Sequence, residues 1–242
     1  MQSLSIDEKI LSIDIGGSRI KATILDPEGN MLMDFQKIAT PGDPDPGNVI
    51  EAILELTKNF QEYHRVSVGF PGYTRLGIVH TAPNLGTPKW EGIHFSKLLS
   101  DVMKKPVRVL NDADMQGLGV VRGEGLEMVI TLGTGFGSAL FLDGSLLPHL
   151  EVAHHPVSKS RTYDDYIGDR ALVEVGLEKW NKRLEKVIGI LKTVFNYDHL
   201  YIGGGNSKKI SFKIEDSITL VSNLDGIKGG AKVWQREMFY AV

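Results

Sequence analysis

Ile13-Asp14-Ile15-Gly16-Gly17-Ser18, running on to Lys21-Ala22-Thr23-Ile24-Leu25-Asp26, is the stretch from which the fold is read. An apolar strand enters a tight Gly/Ser turn, a second apolar strand leaves it, and an aspartate closes it. The pattern returns at Ile130-Thr131-Leu132-Gly133-Thr134-Gly135, running on to Ser138-Ala139-Leu140-Phe141-Leu142-Asp143. Gly16 aligns with Gly133, Ala22 with Ala139, Leu25 with Leu142 and Asp26 with Asp143, at a constant spacing of 117. Backbone N–H groups in such turns bind anions, and glycine lets a phosphate approach closely. Two such hairpins predict two related lobes that grip one phosphorylated ligand. A third glycine turn, Gly203-Gly204-Gly205, follows the apolar Tyr201-Ile202. The G-x-G-x-x-G and G-x-x-x-x-G-K-[ST] patterns are missing, so Rossmann and P-loop folds lose support.

Outward from the first hairpin, residues 31–38 read as a third strand and residues 48–60 as a helix with Val49, Ile53, Leu56 and Phe60 on one face. A strand at Arg65–Gly69 ends in the sharp loop Gly69-Phe70-Pro71-Gly72. Another at Val107–Leu110 stops at Asn111-Asp112, with a helix to follow. Residues 145–166 are the least regular stretch, residues 169–196 are helical in character, and residues 226–240 carry a Gly-Gly pair before a closing helix. The expected division is residues 1–112 and 113–242, with the last helix packing back on the first lobe. Trp90, Trp180 and Trp234 read as core residues, and the charged positions from Glu178 to Lys192 as a solvated helix face.

The 242 residues are enough for a sizeable core, and 42% hydrophobic with 24% charged residues is ordinary for a soluble domain. A net charge of −3 gives no support to nucleic-acid or anionic-membrane binding. The absence of cysteine excludes disulfides and cysteine-type zinc sites. No secretory signal or membrane-spanning run is visible, so a cytoplasmic location is expected.

Three clusters carry candidate chemistry. Asp14, at a strand end beside a phosphate turn, is placed to hold Mg²⁺ or its waters, or to cap the turn. Asn111-Asp112 lies at the end of an apolar strand, where α/β sheets collect ligands. Asp112 there suits a base taking a proton from a hydroxyl, or a helix N-cap. Glu151 and His154, with Asp164 following, suit the hydroxyls of a sugar, a metal, or a solvated loop. His149 and His155 have no distinctive spacing and read as surface residues.

Together these residues resemble the ROK (repressor, open reading frame, kinase) family of sugar kinases in the actin/hexokinase-like superfamily. Asp14-Ile15-Gly16-Gly17-Ser18-Arg19-Ile20-Lys21 looks like that family's first phosphate motif, and Leu132-Gly133-Thr134-Gly135-Phe136-Gly137-Ser138 like its second. Gly69-Phe70-Pro71-Gly72 looks like its sugar-side loop, Asn111-Asp112-Ala113 like its catalytic segment, and Ile202-Gly203-Gly204-Gly205 like its nucleotide-side turn. Thr81-Ala82-Pro83-Asn84-Leu85 before Trp90, and the lack of a cysteine motif, resemble polyphosphate glucokinases within it. The resemblance implies a two-lobed α/β fold, a ribonuclease-H-like core duplicated around a central cleft. It implies Asp112 as base, with Asn84, Asn111, Glu151, His154 and Asp164 on the sugar. The donor would lie on Asp14, Gly16, Gly17, Ser18, Lys21, Gly133, Thr134, Gly135 and Gly203–Gly205. It further implies Mg²⁺, ATP or polyphosphate as donor, glucose as acceptor, and a homodimer. Kinases for N-acetylmannosamine, fructose or allose, or a catalytically silent sugar sensor, are the alternatives. The family's repressors carry an N-terminal helix-turn-helix, for which a first strand at about residue 10 leaves no room. Two departures stand in the specificity loop: Ala153 replaces the usual glycine, and Asp164 stands where a glutamate is usual.

Overall fold

A computed structural model describes residues 7–222 and 226–235. The chain divides into two compact units, Met1–Gly119 with Ile227–Val242, and Val120–Gly226.

The first unit is built on strands β1 (Ile10–Ile15), β2 (Arg19–Leu25), β3 (Gln36–Ala39), β4 (Arg65–Phe70) and β7 (Val107–Asn111), in spatial order β3-β2-β1-β4-β7. The β1–β2 and β2–β3 pairs are antiparallel, and β1–β4 and β4–β7 are parallel. A small hairpin, β5 (Thr74–Arg75) and β6 (Ile78–Val79), follows β4. Helix α1 (Pro46–Thr57) starts where the Asp45 carboxylate accepts the Asn48 N–H at 2.9 Å, with proline pre-set in the first turn. Helices α2 (Thr87–Trp90), α3 (Phe95–Met103) and α4 (Asp112–Val120) complete the run. Ile10, Leu11, Ser12 and Ile13 are all buried, so β1 is covered on both faces rather than on alternate residues. Phe70, Trp90 and Phe95 pack ring against ring in the core.

The second unit repeats the plan with β8 (Leu126–Leu132), β9 (Phe136–Leu142), β10 (Ser145–Leu146), β13 (His199–Gly203) and β14 (Ile218–Leu220), ordered β10-β9-β8-β13-β14. Its first two pairings are antiparallel and its last two parallel, as in the first unit. A two-stranded ribbon, β11 (Pro156–Ser158) and β12 (Arg161–Thr162), leads into α5 (Tyr163–Ile167), α6 (Asp169–Val175) and α7 (Leu177–Phe195). The duplicated ribonuclease-H-like core is therefore present: two five-stranded sheets share one order and one set of strand directions.

Several expectations shift. The two hairpins are not in one register. Ile15 pairs with Ile20 but Leu132 pairs with Phe136, so the second turn is one residue shorter. Ala22 faces Ile13 while Ala139 faces Val129, hence the constant spacing of 117 fails in the outgoing strands. The third strand starts at Gln36 rather than residue 31, because Asp26 and Asn30 close a turn and only Met31 bridges back to Leu25. The helical stretch 169–196 breaks at Gly176, whose φ of 77° is left-handed. The closing helix expected over 226–240 falls partly outside the described residues; within them a short helix runs Gly229–Lys232. All three tryptophans are buried, and α7 buries Trp180, Leu184, Val187 and Leu191 beneath its charged face. Among the described residues no helix is long and apolar enough to cross a membrane.

Candidate active site

In the first unit, the turn between β1 and β2 is closed by Gly16 N–H donating to Arg19 O at 2.9 Å. Thr40 ties it from outside, its hydroxyl donating to Gly16 O at 2.6 Å and its N–H to Ser18 O at 3.1 Å. Gly17 and Ser18 are exposed, and among the described residues their N–H groups have no acceptor. A Cβ on Gly17 would lie 3.3 Å from the Asn84 Cβ, so glycine lets the Asn84 loop close over this turn. Asp14 and Lys21 face each other across the hairpin and pair at 3.0 Å, so Asp14 is not a turn cap. Among the described residues no group of three or more His, Asp or Glu could hold a metal. A single carboxylate still suits Mg²⁺ of the kind held mainly by donor phosphates and waters.

Asp112 opens α4 at the carboxyl end of β7. Asn111, not Asp112, does most of the capping. Its carbonyl accepts from Ala113 N–H at 2.8 Å and Asp114 N–H at 3.3 Å, while its amide donates to Gly72 O at 3.1 Å. The Asp112 carboxylate accepts the adjacent Ala113 N–H at 2.9 Å, and the residue is half-buried. Gly69 lies beneath it: a Cβ there would come 3.4 Å from the Asp112 Cα and 2.8 Å from the Met115 methyl. The Gly72 backbone runs against Thr81, where a Cβ would meet the carbonyl at 2.1 Å. The loops at Gly69–Gly72 and Thr81–Leu85 are thus packed on each other, with Tyr73 N–H held by the Thr81 hydroxyl at 2.9 Å.

In the second unit, Gly133 N–H donates to Gly135 O at 3.0 Å to close the turn between β8 and β9. Thr134 is exposed, and among the described residues the N–H groups of Thr134 and Gly135 have no acceptor. Two residues the sequence did not mark brace this turn. Asp169 N–H donates to Gly133 O at 3.1 Å, and the buried Asn206 amide reaches Gly133 O at 3.3 Å. Gly204, with φ of 84°, lies so close that a Cβ would meet Leu132 O at 2.3 Å; Gly203 ends β13, and Gly205 has open space around it. The glycine turn therefore seats the turn between β8 and β9.

Glu151 lies between two imidazoles, with His149 Nε2 3.7 Å from one carboxylate oxygen and His154 Nε2 3.8 Å from the other. The His149 side chain is only 6% exposed, against its expected surface position, whereas His154 is exposed at 53%. The apolar Leu146-Leu147-Pro148 before it was the available signal. Ala153 is buried, and His155, exposed as expected, stands 6.0 Å ring to ring from Tyr163 of α5. Asp164 Oδ1 accepts the Phe136 N–H at 2.7 Å, just past the turn between β8 and β9.

The ROK family model matches residues 10–151. A polyphosphate glucokinase of Mycobacterium leprae (strain TN) is 32% identical over 213 residues, covering 81% of this chain and 63% of the relative's own length. A polyphosphate glucokinase of Mycobacterium tuberculosis (strain ATCC 25618 / H37Rv) is 31% identical over 206 residues, covering 81% of this chain and 77% of the relative. Among solved structures, an inorganic polyphosphate/ATP-glucomannokinase from Arthrobacter sp. strain KM matches with a TM-score of 0.85 at 28% identity, over 94% of this chain and 98% of that one. A ROK family glucokinase from Streptomyces griseus, in complex with glucose and AMPPNP, shares the fold with a TM-score of 0.79 at 19% identity, over 93% of this chain and 98% of that one. The chain belongs to the ROK family and has the actin/hexokinase-like fold of that family's sugar kinases.

Proposed function

We propose that this protein is a sugar kinase that moves a phosphoryl group from polyphosphate, ATP or both to the 6-OH of glucose. The observation that carries this is the pair of amide-presenting turns, Gly17–Ser18 and Thr134–Gly135, at the same place in two like sheets. An exposed N–H without a partner is an anion site waiting for its anion. Relatives named polyphosphate glucokinase and glucomannokinase point to the donor and the sugar.

Asp112 takes the proton of the 6-OH as that oxygen forms its bond to the terminal phosphorus. The bond from phosphorus to the donor's bridging oxygen breaks, and the shortened polyphosphate or ADP leaves with its electron pair. Asn111 fixes the start of α4 and so the place of Asp112. Asn84, Glu151 and His154 hold the sugar hydroxyls, with the buried His149 imidazole 3.7 Å from the Glu151 carboxylate. Mg²⁺, when bound with the donor, offsets phosphoryl charge, and Asp14 is the carboxylate to hold it or its waters. Lys21 lies beside Asp14 and adds positive charge near the first turn.

The test is a matrix of sugars (glucose, mannose, N-acetylmannosamine, fructose, allose) against ATP and polyphosphates of several lengths, with Mg²⁺ present. Glucose 6-phosphate from either donor is expected. Turnover of another sugar in preference to glucose would replace the acceptor, and no turnover with tight sugar binding would leave a sensor. Light scattering of the same preparation tests the expected homodimer.

A further inference from the structure

We propose that Asp164 is a positioning residue of the donor turn and not a ligand of the sugar. This rests on the phosphate-binding role given above to the turn at Gly133–Gly135.

Asp164 is the second residue of α5. The cap of that helix is made by its neighbours: Thr162 accepts the Asp165 N–H at 3.2 Å, and the Asp165 carboxylate returns to Thr162 N–H at 3.2 Å. That contact with the Thr162 backbone also holds the Asp165 carboxyl below its usual range. Asp164 is therefore spared from capping and leaves the helix sideways. Its Oδ1 takes the N–H of Phe136, the first residue past the turn, at 2.7 Å. The reach is short enough to need a glycine: a Cβ on Gly135 would stand 2.5 Å from that same oxygen.

The turn is consequently held from two sides. Asp169 N–H and the Asn206 amide pin its carbonyls, and Asp164 pins the N–H that follows. Between those anchors the Thr134 and Gly135 N–H groups point away with no internal acceptor. Anion binding by backbone amides depends on their being aimed beforehand, because a floppy turn loses affinity to ordering. Removing the Asp164 acceptor frees one arm of the turn and should weaken the donor, with the sugar little affected. An asparagine keeps an oxygen in place and drops the negative charge, so it should retain the turn.

The experiment measures KM for ATP, for tripolyphosphate and for glucose in four forms: wild type, Asp164→Ala, Asp164→Asn and Gly135→Ala. Binding of ATP, tripolyphosphate and glucose is measured separately by calorimetry. Loss of a hydrogen bond to a charged acceptor predicts a donor KM about tenfold to a hundredfold higher in Asp164→Ala. Glucose KM should stay within about twofold, and Asp164→Asn should recover most of the donor KM. Gly135→Ala pushes the carboxylate off the turn without deleting it and should copy Asp164→Ala, which keeps the test alive if one variant fails to fold. A rise in glucose KM equal to or larger than that for the donor in Asp164→Ala would overturn the proposal and return Asp164 to the sugar. Wild-type protein that binds glucose but neither ATP nor tripolyphosphate would remove the donor-turn role itself, a failure visible before any variant is made.

Discussion

Replacing Gly230 with alanine tests how the segment Ile227–Gln235 is seated within the first unit, and Ser12 supplies the internal control. Ser12 on β1 and Ser67 on β4 are in register, side by side under the short helix Gly229–Lys232. Ser67 is well used: its hydroxyl donates to Gly230 O at 2.6 Å and accepts the Trp234 indole N–H at 2.8 Å. The Ser12 hydroxyl is buried and has no partner among the described residues. A Cβ on Gly230 would sit 2.3 Å from the Ser12 Oγ and 2.8 Å from its Cβ. An unpaired buried hydroxyl costs about 1–3 kcal/mol, so Ser12→Ala should stabilise the protein by about 1 kcal/mol. Gly230→Ala brings an overpacking cost of about 1–3 kcal/mol, against about 0.4–1 kcal/mol gained from a less flexible unfolded chain, for a net loss. In the double variant the closest clash is gone while the 2.8 Å contact stays, so the pair should couple favourably by about 1 kcal/mol.

The assay is urea unfolding followed by tryptophan fluorescence, with Trp90 and Trp234 reporting on the first unit and Trp180 on the second. A change in midpoint at constant slope reads stability directly. Each kcal/mol should also move Tm by about 2–4 °C at this size. Strict additivity of the two substitutions would show that Gly230 does not approach Ser12. Ser12→Ala that destabilises by about 1 kcal/mol would show that its hydroxyl has a partner after all.

Asp112→Asn should cut kcat by about 10²–10⁴ with an unchanged Tm, because Asn111 caps α4 without it; retention of a third of wild-type kcat would remove Asp112 as base. Asn111→Ala should instead cost about 1 kcal/mol or more of stability on denaturant titration, through the lost cap and the lost bond to Gly72. A Cβ on Gly133 meets no atom within 4 Å, so Gly133→Ala should spare Tm and raise donor KM, whereas Gly204→Ala should lower Tm through its clash with Leu132. Burial pushes both Tyr201 and Tyr197 up to about 12 from 10, with the Glu127 carboxylate adding to Tyr201. Their neutral forms favour the fold fully below pH 10, and that stability is lost between pH 10 and about 12; Tyr201→Phe should flatten this alkaline fall in a Tm-against-pH series.

Much of the fold was legible because apolar runs and glycine turns are local signals. β1, β2, β8, β9 and the strand leading to Asn111 stand where their residues suggested. The failures share a cause: nothing local decided them. With both faces of β1 buried, the period-two cue that fixes register is erased, and a one-residue difference between turns leaves no trace. Gly176 breaks a stretch whose helical pattern continues on both sides of it. His149 has no spacing to another ligand; it is set by burial against Glu151, which only the folded loop reveals. The same holds for Asn206 and Asp169, whose partners are carbonyls some 70 and 36 positions away in the chain. Asp164 was visible as a carboxylate following Glu151 and His154, yet its reach to the Phe136 N–H depends on Gly135.

The two glycine turns look alike in sequence and are held by unlike means. The first leans on Thr40 and on the Asn84 loop, both supplied by later parts of its own unit. The second leans on Asp164, Asp169, Asn206 and Gly204, drawn from helices and a turn that follow it. A short motif can supply the glycines and the outward N–H groups, but those groups bind an anion well only if they are aimed before it arrives. The aiming is done by residues that no motif includes. Substitutions in the braces should therefore change donor affinity while both glycine motifs remain intact, and the sequence of the hairpins alone cannot distinguish a working turn from a slack one.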